Sequence, residues 1–203
     1  MQKTNYYALM CEQLNSLEKK PKLLLHACCA PCASACLEIL HEYFDVYVLF
    51  YNPNIEGEEY EKRLLEMKKF LDATGWATLV DCEHDVDEYY HKIVGLEGEK
   101  EGGKRCEKCF ELRLEKTAKV ARELGCDYVS TTLTISPLKN CALINQIGEK
   151  FAREKGVKWL FSDFKKKNGF LRSTELCKEY GLYRQNYCGC SFSKKTLEKN
   201  FNA

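Results

Sequence analysis

Short apolar runs of strand character recur along this sequence, each followed by a segment with helical spacing, and this alternation restricts the fold more than any other feature. Residues 22–27 (KLLLHA) are apolar, few, and closed by a Pro-containing turn, the pattern of a buried strand. Residues 46–51 (VYVLFY) are β-branched and aromatic, and they stop at Asn52-Pro53-Asn54. Residues 77–81, 128–132 and 158–161 supply three more strand candidates. Helical spacing covers 33–43, 58–74, 86–94, 107–124 and 138–154. In the second of these, Leu64, Leu65, Phe70 and Leu71 form the expected inner side; the fourth closes at Gly125, where a C-terminal cap belongs. Repeated strand–helix units predict the α/β class, a parallel sheet with helices on both faces, as one domain over 1–203. Residues 1–20 read as a helical extension over the sheet. In such sheets ligands bind beyond the carboxyl ends of the strands.

A chain of 203 residues, 45% hydrophobic, can bury a core without covalent crosslinks. Its first 20 residues lack the apolar stretch and cleavage site of a signal peptide, and runs such as 46–51 are far too short to span a bilayer. A cytoplasmic location, where thiols stay reduced, is therefore expected. There, 13 cysteines point to metal binding or redox chemistry rather than to disulfides.

Three cysteine groups stand out: Cys28-Cys29 with Cys32, Cys106 with Cys109, and Cys188 with Cys190. The first ends a strand and opens a helix, the second opens the long helix, and the third flanks Gly189 in a loop. Helix N-termini favour the thiolate, the form that binds metal. A single Gly between cysteines permits a tight backbone wrap. Cys11, Cys36, Cys82, Cys126, Cys141 and Cys177 are isolated and read as small buried hydrophobes. Cys32 fits either description, as a partner of Cys29 or as packing in the first helical turn. Two CxxC pairs would make a closed zinc site, but six or seven clustered cysteines exceed one tetrahedral ion. The surplus suits a cubane cluster with something further beside it. No Gly-rich phosphate cradle follows the first strand, and 101–104 (EGGK) is too short for a P-loop, so neither ATP nor a dinucleotide is expected.

Taken together, these motifs resemble the QueH-type epoxyqueuosine reductases. The resemblance is carried by LLLHACCAPCA at 23–33, YNPNI at 51–55, RCEKCFELRL at 105–114, STTLTISPLKN at 130–140, SDF at 162–164 and LYRQNYCGCSFS at 182–193. It implies a fold like nucleotide-binding α-hydrolase-like proteins that lack the phosphate loop. It implies reduction of the epoxide of epoxyqueuosine in tRNA to the alkene of queuosine, the last step of queuosine biosynthesis, without cobalamin. It further implies a [4Fe–4S] cluster and a neighbouring mononuclear iron, held by Cys28, Cys29, Cys106, Cys109, Cys188 and Cys190 together with an aspartate. Asp85 and Asp163 are the two candidates for that carboxylate. The basic, cysteine-containing segment 162–203 would complete the site.

Turning an epoxide into an alkene consumes two electrons and two protons. Side chains cannot supply electrons, so a redox cofactor and an external one-electron donor, such as a ferredoxin or flavodoxin, are expected. His26, Tyr51 and Tyr187 are candidate proton donors. The overall charge is +1, yet residues 150–203 hold 13 Lys/Arg against 5 Asp/Glu, which points to a polyanionic partner. Lys165, Lys166, Lys167, Arg172, Arg184, Lys194 and Lys195, interleaved with Tyr183 and Tyr187, are the expected tRNA contacts, and Ser136 and Lys139 are expected to line the same pocket. Two other readings compete: a zinc module that binds RNA, and a thiol–disulfide oxidoreductase using Cys29 and Cys32.

Overall fold

The computed structural model describes residues 4–201. Five parallel strands form one sheet: β1 (Lys22–His26), β2 (Asp45–Leu49), β3 (Thr78–Val80), β4 (Tyr128–Thr131) and β5 (Lys158–Trp159). Their order is β3-β2-β1-β4-β5. The chain winds one way from β1 to β3 and then returns to the other side of β1. The carboxyl ends of β1 and β4 therefore border a topological switch point, where open α/β sheets place their ligands.

Eight α-helices accompany the sheet among the described residues: α1 (Tyr6–Asn15), α2 (Ala30–Tyr43), α3 (Gly57–Thr74), α4 (Val86–Lys92), α5 (Lys104–Glu123), α6 (Cys141–Lys155), α7 (Gly169–Glu179) and α8 (Ser191–Phe201). Alternate residues of each strand feed opposite cores, as the pleat requires. Leu23, Leu25, Val46 and Val48 pack with Leu37 and Leu40 of α2, Phe70 of α3 and Leu176 of α7. Leu24, Leu49 and Val129 pack with Phe110 and Leu114 of α5 and with Ile144 and Phe151 of α6. Burial on both faces explains why the strands read as continuous apolar runs. No helix of the described residues is long and apolar enough to cross a membrane.

Several boundaries differ from the sequence expectation. Helix α2 begins at Ala30, three residues early, with Cys29 as its N-cap residue and Pro31 in its first turn. Helix α5 begins at Lys104, so Cys106 and Cys109 both lie inside its first turns. Residues 132–140 do not join α6: a 3-10 turn (Thr132–Ile135) intervenes and leaves Leu138 84% exposed. On α3 the inward positions are Tyr60, Arg63, Met67, Phe70 and Leu71, whereas Leu65 is exposed, because it falls out of phase with that 3–4 spacing. Helices α7 and α8 were not expected from the sequence.

Helix α1 covers one edge of the sheet, and its Gln13 side chain meets the edge backbone. The Gln13 amide donates to the Trp159 carbonyl at 2.9 Å and accepts from the Phe161 N–H at 2.9 Å. It thereby stands in for a neighbouring strand along β5. Gln13→Ala should cost about 1.5 kcal/mol for the two bonds. That corresponds to a melting temperature lower by about 3–6 °C for a chain of this size, measurable by calorimetry.

Candidate metal centre

The first cysteine group is built by the strand–helix junction. Beyond β1 the backbone stays extended, with the Ala27 N–H donating to the Leu49 carbonyl, and Cys28 and Cys29 follow before α2 begins. The early start of α2 puts Cys32 one turn beyond Cys29. The sulfurs of Cys28, Cys29 and Cys32 lie within 4.8 Å of one another, and Cys28 Sγ is 3.9 Å from Cys29 Sγ. Thiolates about 2.3 Å from one tetrahedral ion stand about 3.8 Å apart, so this trio has the dimensions of a single-ion site. The neighbouring Cys29 and Cys32 thiols, then Lys139 and Arg113, hold Cys28 well below the usual thiol range despite burial. Cys29 is pushed up to about 12 by hydrogen bonding to Cys28 and by burial. Of the three sulfurs, Cys28 is thus the one whose surroundings favour the thiolate.

The second group joins α5 to the C-terminal loop. Cys106, Cys109, Cys188 and Cys190 line a cavity of about 190 Å³, together with Tyr89, Asn54 and Arg113. Tyr89, Ile93, Cys109 and Cys190 pack as a small apolar cluster behind it. Cys106 Sγ accepts the Gly102 N–H at 3.2 Å, and Cys190 Sγ accepts the Ser193 N–H at 3.4 Å from the first turn of α8. Both bonds favour the thiolate. Among the described residues, no three of these four sulfurs come within 4.8 Å of one another. They are thus spread wider than one ion requires and suit a polynuclear centre.

Arg63 of α3 fixes the loop that carries Cys188. It is 2% exposed and paired with Glu59 at 2.5 Å; its Nη1 donates to the Cys188 carbonyl at 3.1 Å. Gly189 has φ +108°, and a Cβ there would stand 2.7 Å from Arg63 Nη1. Gly189→Ala should therefore cost about 2 kcal/mol or more, from backbone strain and from the displaced guanidinium. Gly57 also has positive φ, +56°, but open space around its Cα. Gly57→Ala supplies a reference in the ordinary left-handed region, and a larger fall in melting temperature for Gly189→Ala is expected from its more strained φ together with the Arg63 contact.

The two groups are adjacent. A larger cavity of about 460 Å³ is lined by Cys28, Cys32 and Cys188, so Cys188 borders both spaces. Lys139 and Glu101 also line both. Glu101 is held by Ser193, whose hydroxyl donates to it at 3.2 Å while accepting the Cys188 N–H at 3.2 Å. Burial works against the Arg113 charge, yet Cys109, Cys188, Cys28 and Cys190, in their ionised form, outweigh it and keep its pKa above the usual guanidinium value. Burial likewise opposes Lys139, and Cys188, Cys28 and Cys32 outweigh it. Cys109 is pushed up to about 12, chiefly by burial.

This donor set fits a thiolate-held metal centre. All 13 cysteines are free, and seven of them converge from three distant stretches of chain. Both amide atoms of Asn54 and the Nη2 of Arg113 are buried beside the four-cysteine cavity without a hydrogen-bond partner. Buried polar groups are almost always satisfied, so unpaired ones here fit a bound group that would complete them.

The remaining expected residues are placed as follows. Asp85 is exposed and caps α4, accepting the Asp87 N–H at 2.9 Å. Asp163 is buried but paired with Lys165 at 2.6 Å, beside Cys141. Neither carboxylate lines a sulfur cavity; among the described residues Glu101, in a loop that reads as solvated, lines both. His26 is a core residue: its ring nitrogens meet Thr131 Oγ1 at 2.9 Å and the Tyr51 carbonyl at 3.1 Å, and burial drives its pKa to about 3. The Tyr51 hydroxyl donates to Glu88 and faces a different cleft, beside Lys116. Tyr187 lines the larger cavity, its ring 5.3 Å from the Arg63 guanidinium. Its phenol is held above the usual range by burial and then by Glu59.

Of the basic residues, Lys165, Lys166 and Lys167 line a third cleft of about 730 Å³, with Lys139, Tyr6 and Tyr7. Arg184 borders the larger cavity and stacks on Phe170, 5.1 Å from the ring centroid. Ser136 lines that cavity as well. Lys194 and Lys195 are exposed on α8. Arg172 is bound to Glu38 at 2.6 Å and Glu175 at 3.2 Å, so its charge ties α7 to α2 rather than facing a cleft. Tyr183 is occupied by Glu59, at 3.2 Å from its hydroxyl, with Lys62 over its ring. Sequence reasoning missed Arg63, Arg113, Asn54, Tyr89 and Glu101. Asn54 and Arg113 lie inside the YNPNI and RCEKCFELRL stretches and Glu101 opens the 101–104 (EGGK) stretch, whereas Arg63 and Tyr89 belong to no such motif.

The family model described as Epoxyqueuosine reductase QueH matches residues 23–196. A protein of that name from Streptococcus pyogenes is 42% identical, over 96% of this chain and 80% of its own. Its namesake from Staphylococcus epidermidis is 42% identical over 95% and 85%. That from Thermotoga maritima is 38% identical over 84% and 89%. The match spans every cysteine of both sulfur groups and most of each relative, and the chain belongs to the epoxyqueuosine reductase QueH family.

Proposed function

We propose that the protein reduces the epoxide of epoxyqueuosine in tRNA to the alkene of queuosine in the cytoplasm. The observation that carries this reading is the convergence of seven cysteines on two cavities that share Cys188. In the reaction the epoxide takes up two electrons and two protons, and its oxygen leaves as water. An external one-electron donor, a ferredoxin or flavodoxin, supplies the electrons.

Cys106, Cys109, Cys188 and Cys190 would hold a [4Fe–4S] cluster, and Cys28, Cys29 and Cys32 the second iron. When bound, these groups relay electrons singly and offer a Lewis acid to the epoxide oxygen. The chain's own residues do the rest. The 460 Å³ cavity is of a size that receives one nucleoside-like group, which must leave its stack in the loop to enter. Leu138 and Phe170, both exposed at its rim, offer apolar and aromatic surface to that base. Tyr187, protonated at neutral pH and facing the cavity, is the proton donor. Lys165, Lys166 and Lys167 meet the phosphates of the flanking strand.

The test is anaerobic iron, zinc and sulfide analysis combined with a reduction assay on tRNA carrying epoxyqueuosine. Iron, sulfide and turnover are expected together. A colourless protein that holds only zinc and leaves the epoxide intact would overturn the reading.

A further inference from the structure

We infer that Arg113 is a built-in counter-charge that raises the reduction potential of the centre held by Cys106, Cys109, Cys188 and Cys190. The inference rests on the cluster reading above and deepens it.

Three arginines are buried among the described residues, and Arg113 differs from the other two. Arg63 has the Glu59 carboxylate. Arg105 donates to the carbonyls of Glu97 and Glu99 and lies 4.2 Å from the Phe192 ring. Arg113 is 1% exposed and makes no carboxylate pair among the described residues. Its hydrogen bonds are long, 3.4 Å to the Cys109 carbonyl and 3.4 Å to Asn52 Oδ1, and its Nη2 has no partner. A guanidinium stays charged when buried, and desolvating it costs several kcal/mol unless an anion answers it. The groups around it are thiols, and it lines the cavity that four of them share.

Its position is fixed from two sides. Arg113 follows Cys109 by one turn of α5, which puts both on one helix face. Asn52, its other partner, is anchored by donating to the Ala27 carbonyl at 2.9 Å, next to Cys28. The charge is therefore held between the two sulfur groups. Adding an electron to a thiolate-held cluster adds one negative charge. A fixed cation nearby, away from water, favours that state.

The experiment is an anaerobic redox titration, followed by electron paramagnetic resonance, of wild type, Arg113→Lys, Arg113→Gln and Arg113→Met, with iron and sulfide measured for each. Arg113→Gln and Arg113→Met should reduce at least tenfold less favourably at a given potential, a shift of 59 mV or more downward for a one-electron couple. Arg113→Lys, which keeps the charge, should stay nearer to wild type. Wild type without iron and sulfide would overturn the cluster reading itself. A loaded wild type whose Gln and Met variants keep its potential would overturn this inference alone. Loss of the centre from all three variants, the charge-keeping one included, would also overturn it, because shape rather than charge would then decide.

Discussion

Cys188→Ser should lower epoxyqueuosine reduction by at least about 10³-fold, about 4 kcal/mol of barrier, and reduce iron content in the same preparation. The size of the effect follows from position. Cys188 is the cysteine that borders both cavities, so its loss touches the four-sulfur group and opens the wall of the space beside Cys28 and Cys32. A hydroxyl does not ionise at neutral pH and is a poor ligand for iron in sulfur surroundings. The fold should survive, because Cys188 packs in neither sheet core. Cys11→Ser, on α1 and away from both cavities, is the control and should change neither iron nor turnover. Iron content per chain, sulfide content and turnover, measured together, check this. A Cys188→Ser protein with full iron and full turnover would show that the loop is not part of the site.

Reversing Lys165, Lys166 and Lys167 together to Glu should weaken tRNA binding about 10²-fold or more near physiological salt, and it should flatten the dependence of log K on log salt by about two units. Lys166 and Lys167, each neutralising one phosphate of a single-stranded loop, account for about 1.4 units of that slope, and Lys165, on leaving Asp163, for the rest. Lys165 is already paired with Asp163, so Lys166 and Lys167, both exposed, carry most of the effect. The lysine cleft adjoins the larger cavity through Lys139, which lines both. The loss should therefore appear in KM, with kcat preserved at saturating tRNA, because the reacting groups are untouched. Filter binding at several salt concentrations and initial rates measure the two quantities. An unchanged salt slope would remove these lysines from the interface.

Much of this architecture is legible in the sequence, for physical reasons. Strands β1, β2 and β4 are buried on both faces, so their residues must be apolar on both sides of the pleat, and the runs stand out. The three cysteine groups stand out because thiols cluster so rarely by chance. The partition into three and four does not, because it depends on where α2 and α5 begin. A start three residues earlier in each helix brings Cys32 to Cys29 and turns Cys106 and Cys109 onto one face. Arg63 and Arg113 were missed because arginine is ordinarily a surface residue; nothing in the spacing of α3 or α5 announces a buried guanidinium. His26 reads as a proton donor because it ends a strand at the right edge, yet both its nitrogens are used inside the core. Asp85 and Asp163 follow strands, and their side chains are taken by a helix cap and a lysine. On α7 the buried side is short, Ser173, Leu176 and Cys177, while Phe170 and Leu171 are exposed, and the sequence of α8 is mostly basic and polar.

The clamp between Arg63 and the Cys188 carbonyl spans 125 positions of sequence. During synthesis the sheet strands, α3 and both upstream cysteine groups leave the ribosome before residues 188–190. The wall of the candidate centre thus arrives after the surface on which it docks. A chain interrupted before residue 188 would carry the earlier thiols without the loop that closes over them.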